Sequence, residues 1–212
     1  MSRKPPITSA ELKAKLVADP EFVARQKRRD QELTEREARF RTEEEPILAD
    51  LRRVGIAAES AWDLVNTSTP YPEALPILLE HLQRPYSDVV RGGIARSLAV
   101  YDARPFWPVL VREFRKVPPA GEGQGLGAKD GLAVALSVIA TEAVMDELIA
   151  LAKDRSQGSS RIFFVKPLMR SKSEAAKRAI EELSSDPQLE KEIAIRLKNR
   201  ARRSKRKAPP SG

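Results

Sequence analysis

The chain has no cysteine and a single histidine, His81. Disulfides, thiolate metal sites and cysteine nucleophiles are therefore excluded. One histidine also falls short of a common zinc ligand set and of a His-paired nucleophilic triad. With no nucleophile–base pair or ligand cluster in view, no catalytic residue, metal or cofactor is assigned. Apolar runs are short: none approaches the roughly 18 residues of a membrane span, and the opening MSRKPPITSA lacks the apolar core of a signal peptide. A soluble, cytoplasmic protein with no membrane partner is the expectation. No stretch alternates apolar and polar residues with period two, so no strand is expected.

Excess positive charge is missing from most of the chain. The net charge is +8, from 38 basic and 30 acidic residues. Eight of the basic residues lie from Arg196 onward (Arg196, Lys198, Arg200, Arg202, Arg203, Lys205, Arg206 and Lys207), with no acidic residue among them. The remaining 30 basic residues equal the acidic ones, so the excess sits at the carboxyl end and the body is balanced overall.

What is present is helical periodicity. In the stretch 71–102, Leu75, Leu78, Leu79 and Leu82 form one apolar stripe, and Val90, Ile94, Leu98 and Tyr101 form a second. Arg84-Pro85 breaks the chain between them, and Asp88 is placed to cap the second helix. Leu78 and Ile94 should be buried at the centre of this hairpin. Two helices this short cannot bury both apolar faces alone, so like units must stack beside them. PILADL at 46–51, PILLEHL at 76–82 and PVLVREF at 108–114 align without gaps, and DELIALA at 146–152 and KRAIEEL at 177–183 continue the register. The offsets are 30, 32, 38 and 31 residues, the longest containing a Gly-rich insertion at 118–128. Second helices are expected at about 59–66, 88–101, 129–140, 160–171 and 187–199.

Over residues 43–199 this pattern resembles HEAT repeats, the armadillo-like superfamily of stacked helical hairpins. Pro46, Pro76 and Pro108 stand where that family kinks its first helix, and Asp88 and Asp130 open second helices. Ile94 and Leu136 occupy the places of the family's basic residue, which leaves the subfamily open. The resemblance implies an all-α, right-handed α-solenoid of four to five hairpins and no particular activity. Residues 1–45 are expected as a charged helical arm, 46–199 as the solenoid and 200–212 as a basic disordered tail.

In the arm, Thr8 and Glu11 match a capping box, and Asp19-Pro20 matches a helix start. Glu21/Arg25, Glu32/Arg36, Glu35/Arg39 and Glu37/Arg41 are acid-before-base pairs at i,i+4. A solvated helix leaning on the body through Phe22, Leu33 and Phe40 is preferred to a coiled-coil arm. Gly121, Gly123, Gly125 and Gly127 before Lys129 lack the Gly-Lys-Ser/Thr and preceding strand of a phosphate loop, and a plain insertion explains them better. Trp62, Asp63 and Trp107 bring to mind the HEAT-like alkylpurine DNA glycosylases, but the balanced body speaks against a duplex, and core packing is expected. Gly92-Gly93 inside a helix points to close approach by a neighbour.

The functional expectation is a non-catalytic adaptor or scaffold. Its concave surface would present Arg91, Arg96, Lys166 and Arg170 to a protein partner carrying an acidic segment. On a helical wheel Gly92, Ala95, Arg96 and Ala99 share the outward side of their helix. The alternative is a nucleic-acid-associated protein held by the basic tail, and a glycosylase stands third.

Overall fold

A computed structural model describes residues 8–119 and 127–207, with all their side chains except those of Ala14 and residues 203–207. The chain divides into two units, Met1–Glu43 and Glu44–Gly212. It is all-helical, and no strand occurs among the described residues.

In the first unit, α1 (Ser9–Ala18) opens with the expected capping box: Glu11 N–H donates to Thr8 Oγ1 at 3.3 Å, and Thr8 N–H donates to Glu11 Oε2 at 2.9 Å. Helix α2 (Pro20–Arg53) starts on Asp19, whose Oδ1 accepts from Glu21 and Phe22 N–H. Of the four acid-before-base pairs only Glu21/Arg25 closes, at 3.5 Å. Long exposed side chains gain little from such pairing, and Arg36 instead lies over the Phe40 ring at 5.3 Å. Leu33, expected to lean on the body, is 46% exposed.

The expected break at Pro46 does not occur, since α2 runs through it into the second unit. Pro46 is exposed, so the carbonyl it leaves unpaired faces water rather than the core. Ile47, Leu48 and Leu51 follow it and are buried. The second unit continues with α3 (Ala74–Leu82), α4 (Asp88–Ser97), α5 (Trp107–Lys116) and α6 (Ala128–Ile139), then α7 (Met145–Lys153), α8 (Val165–Arg170), α9 (Glu174–Leu183) and α10 (Glu190–Lys207). Pro76 and Pro108 occupy first turns, where no intrahelical amide is lost, so neither kinks a helix interior.

Some expected second helices are 3-10 segments instead. Residues 61–65 form one, capped by Ser60 and Asp63. Tyr101–Phe106 forms another, so α4 stops at Ser97 and not at Tyr101. A third, Arg155–Phe164, precedes α8 and is broken at Gly158. The basic segment from Arg200, expected to be disordered, prolongs α10 to Lys207, while residues 208–212 lie outside the described residues.

Helices α3 and α4 pack together, as do α5 and α6; α4 also lies against α6, and α6 against Arg155–Phe164. Further on, α7 and α8 both pack on α9. Leu78 and Ile94 are fully buried, as expected. The α4–α6 contact needs bare backbone: a Cβ on Gly131 would stand 2.7 Å from Gly92 O and 3.0 Å from Ala95 Cβ. Gly92 and Ala95 are therefore buried by α6 and do not form the outward side drawn on the helical wheel. Gly93 approaches the Trp62 indole in the same way.

Candidate functional site

Cations in the second unit fall into two groups: those consumed by the fold and those left to solvent. Arg91, Lys129 and Arg161 belong to the first. Each reaches the carboxyl end of the preceding helix, where carbonyls lack intrahelical partners and the helix dipole favours positive charge. Arg91 Nε donates to Leu82 O at 3.3 Å, and its Nη2 lies 3.5 Å from Glu113 Oε2. Lys129, 2% exposed, donates from Nζ to Phe114 O (2.6 Å), Val117 O (2.9 Å) and Gln157 Oε1 (2.6 Å). Burial pushes its amine down to about 8. Arg161 Nη1 donates to Ala152 O and to Asp186 Oδ2, both at 3.0 Å. Hydrogen bonds from Arg161 hold the Asp186 carboxyl below the usual range.

Arg91, expected to face a partner, is thus engaged at the end of α3. Arg96 lies beside Trp62, its guanidinium 5.8 Å from the ring centroid; its Nε and Nη2 are buried with no hydrogen-bond partner. The Ala128 amide, just after Gly127, already donates to Asp88 Oδ1 at 3.0 Å. A Cβ on Gly127 would fall 1.7 Å from the Asp88 carboxylate. Asp88 therefore caps α6, while Ser87 caps α4 by accepting from Val90 N–H at 3.5 Å. Gly121, Gly123 and Gly125 lie outside the described residues. His81 is fully buried, its Nε2 3.0 Å from Asp50 Oδ2 and its Nδ1 2.7 Å from Tyr86 Oη. Trp107 is buried and donates to Glu147 Oε2 at 2.7 Å.

Four other cations converge, three of them exposed and the fourth, Arg196, partly buried. Amphipathic α8 buries Val165 and Leu168 and turns Lys166 and Arg170 to solvent, where the two were expected. Helix α10 anchors through buried Ile193 and, just before its start, Leu189, and its next turns bring Arg196 and Arg200 opposite α8. Lys166, Met169, Arg170, Arg196, Asn199 and Arg200 together line a groove of about 360 Å³ with no carboxylate in its lining. Arg200 Nη1 donates to Met169 O at 3.5 Å, and Arg196 pairs with Glu192 one turn back. Within each helix the two cations are four residues apart, hence about 6 Å along the axis. The outward pair of α8 and the first two arginines of the basic carboxyl end, separate in the sequence, thus line one groove. Lys198 and Arg202 are exposed off this groove, and Arg203, Lys205, Arg206 and Lys207 continue the helix.

Arg170 also borders a second recess of about 300 Å³, lined by Tyr101, Arg104, Ser137, Thr141 and Glu142 among others. Tyr101 is 60% exposed and Arg104 lies over its ring at 4.8 Å. The Glu142 carboxylate is occupied by Ser171 Oγ (2.7 Å) and Lys172 N–H (3.3 Å). Tyr101 read as the last residue of an apolar stripe, so its exposure was not visible in the sequence.

Among the described residues no helix is long and apolar enough to cross a membrane, and no three His, Asp or Glu side chains cluster as metal ligands would. Comparisons with protein-family models, curated proteins and solved structures gave no match.

Proposed function

We propose that this chain is a non-catalytic binding module, an α-solenoid of HEAT-like hairpins that holds an anionic macromolecule in the groove between α8 and α10. The observation that carries this reading is the convergence of Lys166, Arg170, Arg196 and Arg200 in a recess whose lining contains no acidic group. Two arginines from one helix offer planar, bidentate contacts to phosphate or carboxylate, with the Lys166 amine as a further point charge. The solenoid part of the reading is supported by the pairing of α3 with α4 and α5 with α6, and by the packing of α4 on α6. The non-catalytic part rests on how the other polar groups are used: His81, Lys129 and Arg161 are buried and direct their donors to protein acceptors. Because α10 supplies one wall, the adaptor surface takes in Arg196 and Arg200 of the basic carboxyl-terminal segment.

The test is a charge reversal, Lys166→Glu with Arg170→Glu, followed by heparin chromatography and thermal melting. Both side chains face solvent, so Tm should hold. Elution should shift to markedly lower salt. Unchanged elution would overturn the groove.

A further inference from the structure

The groove is not closed at Arg170. That residue borders both recesses, so the cluster of Lys166, Arg170, Arg196 and Arg200 adjoins, at Arg170, the recess lined by Arg104 and Tyr101. An acidic peptide would use the cations but has no need of an exposed phenol ring. Tyr101 keeps 60% of its surface in water although Arg104 already lies over its ring. An aromatic face at the end of a cationic track is what a single-stranded nucleic acid uses: phosphates follow the charges and a base stacks on the ring. A duplex keeps its bases stacked inside, whereas a single strand or loop can splay one out. Ser137, Thr141 and Ser171 line the same recess and offer hydroxyls to a base edge or sugar. The one carboxylate there, Glu142, already accepts from Ser171 and Lys172.

Resting on the groove reading above, we infer that the occupant is single-stranded nucleic acid, with Tyr101 as its stacking platform and Arg170, Lys166, Arg196 and Arg200 as its phosphate track. Four phosphate contacts at about 0.7 each give a slope of log affinity against log salt near −3.

The test uses the full chain and fluorescence anisotropy with labelled oligouridylate and oligothymidylate of about 12 nucleotides. The matching duplex and a poly-glutamate peptide serve as comparators. Single strands should bind and the duplex should bind more weakly. Tyr101→Ala should weaken single-strand binding roughly 5- to 150-fold, the worth of one stacked base. Tyr101→Phe should restore it, and poly-glutamate affinity should not change. Equal single-strand affinity in Tyr101→Ala and the native protein would overturn the inference, as would tighter binding of the duplex. If only poly-glutamate bound, and Lys166→Glu/Arg170→Glu abolished it, the nucleic acid would be wrong and the groove right. If no anion bound, both would fall.

Discussion

A guanidinium leaves water without penalty only when each of its five N–H groups meets an acceptor. At Arg161, 1% exposed, the fifth is found: Nε goes to Gly158 O, Nη1 to Ala152 O and Asp186 Oδ2, and Nη2 to Asp186 Oδ1 and Gln188 Oε1. Asp186→Asn should therefore cost about 3–5 kcal/mol, since it leaves the cation buried without its countercharge. The Asp186 carboxyl titrates lower in the folded protein than in the unfolded chain. Its contribution is full above the unfolded value of about 3.9 and fades as pH falls below it. Urea midpoints measured from pH 6 down to pH 3 should show the gap between native protein and Asp186→Asn closing at the acid end. A constant gap would mean that the charge on Asp186 does not stabilise the fold. None of this could be read from the sequence, where Arg161 and Lys129 are charged residues of the kind that nearly always stays at the surface.

At the scale of elements, apolar spacing made α3, α4 and α6 legible to within a few residues, because each buries a stripe at helical period, while only the second half of the helix expected at 160–171 is α-helical. The 3-10 segments were not legible: short, tight turns carry no stripe. Caps were half legible. A carboxylate near a helix start was visible at Asp88, but with Ser87 one residue earlier the carboxylate is left over and serves α6 instead. Asp88→Ala should cost about 1 kcal/mol, the usual worth of a cap. Gly127→Ala alone should cost more, because the new methyl would collide with Asp88. In the double variant the collision is absent, so the two losses should fall short of additivity by about 0.5–3 kcal/mol. A double-mutant cycle by chemical denaturation checks this, and strict additivity would refute the cross-helix cap. The groove was legible one wall at a time. Spacing exposes Lys166 with Arg170, but only tertiary packing sets α10 across from them.

At the scale of the whole second unit, the packing of α4 on both α3 and α6 makes the core one continuous body. Leu78 is fully buried at its α3 end, and Leu78→Ala should cost about 2–5 kcal/mol. Amide exchange should accelerate in α6 as well as in α3 and α4, because neighbours share the interface. A change confined to residues 71–102 would mean that the hairpins open independently.

The capping of α6 by Asp88 also has a direction in time. A ribosome delivers residue 88 well before residue 128, so the acceptor is made before the amide that it caps. The same order holds for Asp50 and His81, for the Ala61 carbonyl and Ser97, and for Asp130 and Ser160. In each pair the earlier residue supplies the acceptor group and the later one docks on it. At Trp107, Lys129 and Arg161 the order is reversed, since the acceptors on Glu147, Gln157 and Asp186 are made later, so these side chains depend on segments still to come.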